Sequence, residues 1–170
     1  MSGKIVALII IVIAAIGGAG LYYLQVYHYY FDLPEAATVG LIPVDGEDPV
    51  ALPVTGFQGI DAESSPIRYR ACFQLDGDAQ ALEGRFVEME DMEPRIAPFW
   101  FDCFDTEAIA EGVADGSIKT YLGGKNVGYG VDRIVAIGAD GQGFAWNDLN
   151  NCGEKAYDGT VVGEECPELP

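Results

Sequence analysis

The opening stretch of the chain has no polar alternation. Residues Ile5–Leu24 read IVALIIIVIAAIGGAGLYYL, without one charged side chain. At 1.5 Å rise per residue, these 20 residues reach about 30 Å, the thickness of a bilayer core. The pattern predicts a membrane-spanning helix. Tyr22, Tyr23, Tyr27, Tyr29 and Tyr30 crowd its far end, as aromatic side chains gather at a membrane–water boundary.

From Asp32 to Pro66 the pattern breaks up. Pro34, Pro43, Pro49, Pro53 and Pro66 forbid a long helix. Two short extended segments, Thr38–Val44 and Pro49–Phe57, flank a turn at Asp45-Gly46-Glu47-Asp48. Next, Ile67–Leu75 alternates. Ile67, Tyr69, Ala71, Phe73 and Leu75 share one face; Arg68, Arg70, Cys72 and Gln74 share the other. That is the signature of a half-buried strand. A short helix is expected over Ala79–Leu82 and a short extended piece at Phe86-Val87. An acidic loop follows over Glu88–Pro98. The aromatic run Pro98–Phe104 should pack into the core. Asp105 is placed to cap a helix over Thr106–Asp115, with Glu107 in the first turn and Gly116 closing it. Gly112 weakens that helix. Ile118–Leu122, Val127–Gly130 and Val131–Ala139 read as extended. Asp140-Gly141 then marks a hairpin into Gly143–Asn147. The tail, Asp148–Pro170, has no period.

The elements sum to an α+β chain. An N-terminal transmembrane helix precedes a small antiparallel sheet of four to six strands with one packed helix. Three segments follow: 1–31, membrane anchor and interfacial aromatics; 32–66, Pro/Gly-rich connector and edge strands; 67–170, an acidic domain with a disulfide-closed tail.

Composition sharpens this division. The 170 residues hold 27 Asp and Glu, nine Lys and Arg, and a net charge of −18, yet the mean hydropathy is slightly positive. The anchor accounts for the hydropathy, because residues 32–170 alone carry 27 acidic and eight basic groups, a net −19. Such a surplus argues against nucleic acid as a partner. Lys4 and the amino terminus precede the apolar run, and no basic residue follows until Arg68. The positive-inside rule therefore puts the N-terminus in the cytoplasm and the acidic domain outside. A cleaved signal peptide is the competing reading, with Gly17, Gly18, Ala19 and Gly20 as its small residues. Apolar character that continues through Leu24 and Val26 favours the uncleaved anchor. Ala14/Gly18 and Ala15/Ala19 form small-xxx-small pairs that allow close helix–helix contact, although small residues are common in membrane helices anyway.

All four cysteines, Cys72, Cys103, Cys152 and Cys166, lie in the exported part. An even count there implies two disulfides. Sequence allows three connectivities; local pairing, Cys72–Cys103 and Cys152–Cys166, ties the strand to the aromatic run and closes the tail. No CxxC or CxxCH occurs, so redox, zinc and haem sites have no support. His28 is the only histidine and lies among the tyrosines, where it serves neither a nucleophile triad nor a phosphorelay. Carboxylate pairs such as Asp76/Asp78, Glu88/Glu90 and Asp102/Asp105 are expected by chance in so acidic a chain. Asp148-x-Asn150-x-Cys152-Gly153 begins like a Ca²⁺ loop, but a cysteine and Gly159 stand where oxygen ligands belong. Gly128-x-Gly130 and Gly141-x-Gly143 read as turns. No catalytic residue, cofactor or metal site is assigned.

Several segments resemble an uncharacterised alphaproteobacterial family of unknown function, short N-terminally anchored proteins sometimes mislabelled histidine kinase. They are Ser65–Phe73, Trp100–Asp105, Tyr129–Ala136, Phe144-Ala145-Trp146 and Asn151–Lys155. The resemblance covers most of the chain and implies a Gram-negative envelope, hence a periplasmic domain. It implies no activity. The expectation is a single-pass inner-membrane protein acting as a non-enzymatic accessory, assembly or interaction subunit that binds another envelope protein. The rivals are a small-ligand or Ca²⁺-binding domain and a hydrolase built on carboxylates alone.

Overall fold

A computed structural model describes residues 2–35 and 37–168. Helix α1 spans Gly3–Tyr23 and buries none of its residues. A single π-helical turn, Leu24–His28, continues it. The whole run Gly3–His28 is long and apolar enough to cross a membrane.

Most strands fall in the expected segments with changed limits, but the strand at Phe31–Asp32 was not expected, and Pro49–Phe57 divides between two strands. The strands are β1 (Phe31–Asp32), β2 (Gly40–Leu41), β3 (Val50–Ala51), β4 (Val54–Asp61), β5 (Arg70–Leu75), β6 (Ile118–Gly128), β7 (Val131–Gly138) and β8 (Gln142–Leu149). Six of them form one antiparallel sheet, ordered β1-β4-β5-β8-β7-β6, while β2 and β3 pair separately. The predicted segment Ile118–Leu122 and the first half of Val127–Gly130 prove to be one strand, while Tyr129 and Gly130 form the turn into β7. Register shifts at Leu122/Gly124 and Gly124/Gly128 let β6 run on through its glycines, as bulges do. The hairpin between β7 and β8 turns at Gly141, whose φ is +81°, a value that favours glycine.

Helix α2 (Thr106–Asp115) is the packed helix. The Asp105 carboxylate accepts from the backbone N–H groups of Glu107 and Ala108, at 3.1 and 3.2 Å. Gly116, at φ +79°, ends the helix. Gly112 does not disrupt α2 because its place is a packing requirement. A Cβ there would lie 2.6 Å from Ile118 Cδ1.

Both faces of the sheet are covered, so β5 is buried on two sides rather than one. One face carries Tyr69, Ala71, Phe73, Val135, Ile137 and Ala145 and packs against Val39, Leu41, Leu82 and Phe86. The segment 32–66 thus supplies core residues as well as strands. The other face carries Cys72, Ile134, Ala136, Phe144 and Trp146 and packs against Phe104 and Ile109. The aromatic run divides. Phe104 enters this core, but Phe99 is 69% exposed, because the chain reverses in a turn closed by Phe101 N–H donating to Pro98 O at 2.9 Å. Both predicted disulfides, Cys72–Cys103 and Cys152–Cys166, are present.

Gly143 on β8 stands directly opposite Phe73 on β5, and a methyl group at 143 would fall on the Phe73 ring. Gly143→Ala should therefore cost ~1–3 kcal/mol through overpacking. Denaturant titration checks this; an unchanged midpoint would show that the ring has room to move.

Candidate functional site

The most constructed polar and aromatic arrangement lies where α1 leaves the apolar stretch. A helix leaves its last carbonyl groups without intrahelical donors. Here two of them are met by side chains remote in sequence. Trp100 Nε1 donates to Val26 O at 2.8 Å, and Arg68 Nη1 donates to Gln25 O at 3.2 Å. A cation at a helix C-terminus is also favoured by the helix dipole.

Aromatic rings fill in around these bonds. Tyr27 stacks on Trp100 at 6.3 Å between centroids and meets Phe99 edge-on at 6.1 Å. Tyr30 meets Trp100 at 5.6 Å, and the Arg68 guanidinium lies 5.4 Å from the Tyr30 ring centroid. Such contacts add roughly 0.5–1.5 kcal/mol each beyond area burial. His28 lies against Tyr23 and Tyr29, where its sequence position placed it. Pairing of Tyr27 and Tyr30 with Phe99 and Trp100 was not readable, because those partners are about 70 residues apart and nothing local signals the contact.

The collar is held from behind by β5. Arg70 is only 5% exposed. Its guanidinium donates to the carbonyl oxygens of Ile67 (2.9 Å), Tyr69 (2.6 Å), Arg95 (3.0 Å) and Ile96 (3.0 Å). Burial lowers its pKa to about 10, so it stays charged at neutral pH. Two positions along, Cys72 bridges to Cys103, three residues after Trp100. Both ends of the Arg95–Cys103 segment are thereby fastened to one strand.

A second feature is an open groove of about 650 Å³ between the acidic loop and α2. Met92, Ala110, Val113 and Ala114 form its apolar lining, and Asp91, Glu93 and Glu111 supply carboxylates.

The rival chemistries find other arrangements. Burial raises the pKa of Asp61, against the lowering effects of the Ala62 N–H bond and of Arg133 and Arg70; its charged neighbours are thus arginines rather than a second acid. Asp148 pairs with Arg95, while Asn150 donates to Asn126 and Asp132. Cys152 is in its disulfide. The loop with Ca²⁺-like spacing is therefore occupied by internal bonds. Among the described residues no three His, Cys, Asp or Glu groups converge as a metal cluster.

Residues 39–167 match DUF6446, described as a family of unknown function. No curated protein matches the chain, and no solved structure does.

Two outcomes follow from these bonds. Trp100→Phe keeps the ring stack and loses the bond to Val26, at a cost of ~0.5–1.5 kcal/mol. Chymotrypsin should then cut the Tyr27–Phe31 segment roughly fivefold faster in detergent; an unchanged rate would mean the bond does not hold the collar shut. Asp61→Asn retains the acceptor for Ala62 N–H. The raised Asp61 pKa means that protonation favours the fold, and this contribution is lost as pH rises through the folded value. The variant should melt above the parent at neutral pH. That lead should vanish as pH falls below 3.8, the unperturbed value. Paired thermal melts at the two pH values check the sign.

Proposed function

This chain belongs to DUF6446, a family of unknown function, and we propose its role from its own geometry. It is a single-pass protein of a bacterial inner membrane, with its N-terminus in the cytoplasm and its acidic domain in the periplasm. It acts without catalysis, as an accessory, assembly or interaction subunit of an envelope complex. The carrying observation is the collar. Trp100 and Arg68 donate to the last carbonyls of the helix, so the domain stands in a set pose on its anchor. A domain that only needed tethering would gain nothing from that pose. One that docks on a membrane neighbour gains both orientation and effective concentration.

Two further features support the reading. The disulfides Cys72–Cys103 and Cys152–Cys166 suit an oxidising compartment. Lys4, ahead of the apolar run, favours a cytoplasmic N-terminus. The partner is another membrane or envelope protein, and the groove of Glu93 and Glu111 fits a Lys- or Arg-bearing segment of it. In the membrane, Ala14 and Gly18 leave room for a second helix, since among the described residues nothing lies within 4 Å of where a Cβ at Gly18 would stand.

Crosslinking in native membranes followed by pull-down tests the subunit. The expected result is a co-purifying membrane protein with a basic exposed segment. Recovery should fall about tenfold in the Glu93→Lys/Glu111→Lys variant, because like charges then face each other, and it should fall with added salt. Recovery of the isolated monomer alone would refute the subunit role.

A further inference from the structure

One ring of the collar is more exposed than the others. Phe99 sits at the tip of the Pro98–Phe101 turn, 69% exposed, and its contact is the edge of Tyr27. Its neighbour Trp100 turns the other way, onto Tyr27, Tyr30 and the Val26 carbonyl. The turn is braced by Arg70 on one side and Cys103 on the other. A large apolar ring is thus held outward on a rigid mount.

Depth along the helix says what it meets. The unbroken apolar run ends at Leu24, before Gln25. Tyr27 is three residues further, about 4.5 Å at helical rise. The polar layer on each side of a bilayer core is roughly 5–7 Å thick. Tyr27 therefore lies inside that layer, and the Phe99 ring, its centroid 6.1 Å from that of Tyr27, lies within one layer's thickness of it. Water is the wrong solvent for an exposed phenyl ring there; the boundary between headgroups and acyl chains is the right one.

We propose that the Pro98–Phe101 turn is a second membrane contact, with Phe99 inserted into the headgroup–acyl boundary beside the anchor. The inference rests on the anchoring reading. The occupant is lipid rather than a protein groove, because the ring is continuous with the helix exit. The lipid contact is apolar rather than ionic, since a domain at −19 is repelled by anionic headgroups.

The test uses the full chain in zwitterionic phosphatidylcholine vesicles, with and without bromine near the headgroup end of the acyl chains. Phe99→Trp puts a reporter at the turn. The emission of the unsubstituted chain, from Trp100 and from Trp146, which is 0% exposed and beyond the reach of lipid bromine, is measured in both vesicles and subtracted. Emission added by the new tryptophan should fall by about half in brominated vesicles. Unquenched added emission, from a chain that still floats with the vesicles, would overturn the membrane contact and leave the anchor intact. A chain that does not float would overturn the anchor and the contact together. Should the variant fail to fold, Trp100 in the unsubstituted chain serves instead. It lies at the same level, so partial quenching is expected, and none would overturn the proposal.

Discussion

Arg70 places a guanidinium inside the domain and surrounds it with carbonyl oxygens instead of a carboxylate. Ile67, Tyr69, Arg95 and Ile96 each accept from it. Burying an unpaired cation is expensive, and here the carbonyl dipoles offset that cost through the planar fork of donors that arginine has and lysine lacks. Two of those acceptors belong to its own strand's approach and two to a loop about 25 residues away. The bond set therefore welds the loop before Trp100 to the sheet. Neighbours in the same alternating row, Arg68 just before β5 and Cys72 and Gln74 within it, do similar work. Arg68 reaches Gln25 O, Cys72 reaches Cys103, and Gln74 reaches Asp140 O. Four alternate positions, three in the strand and one just before it, hold the helix exit, both ends of the Arg95–Cys103 segment and the β7–β8 turn.

A mechanical path follows from that row. The end of the apolar helix is held by Arg68 directly and by Trp100 indirectly. Trp100 is fixed because its segment returns to β5 at Arg70 and at Cys72. β5 in turn lies between β4 and β8, deep in a sheet buried on both faces. Tilting the helix would have to break the Trp100 and Arg68 bonds, slide the tyrosines off the indole, or move a central strand. The first costs only a few kcal/mol, and the last would unfold the core. The collar is thus the softest joint in a chain of stiffer ones.

Local features were readable from sequence because their causes are local. The Asp105 cap, the α2 span, the Gly116 stop and the Asp140-Gly141 turn each depend on residues within a few positions. The disulfides take the local pairing, one of the three connectivities that the sequence leaves open. What sequence did not reveal was what covers the Arg68–Gln74 face. Alternation separates apolar from polar positions, yet a polar row facing solvent and one gripping distant carbonyls look alike. The division of Pro98–Phe104 was hidden for a related reason. Aromatic density says that rings will be packed, but the reversal at Pro98–Phe101 decides that Phe104 goes to the core and Phe99 does not. The site owes its existence to these long-range contacts.

The same contacts change the meaning of the charge. Arg68 and Arg70 are turned onto backbone carbonyls, and Arg133 lies 3.6 Å over the Tyr69 ring while donating to Asn147. Arg95 and Lys125 are paired with Asp148 and Glu164. Much of the positive charge beyond the apolar helix is therefore directed inward or neutralised, and the outward surface is more uniformly negative than a count of residues implies. At physiological salt such a field reaches about 8 Å, too short to attract from afar but enough to orient a basic neighbour at contact. Beside a bilayer it also pushes the domain away from anionic lipid. A loosely tethered acidic domain would lean outward and lose any set pose. The collar opposes that tendency, so the acidity and the rigid mount are two parts of one arrangement.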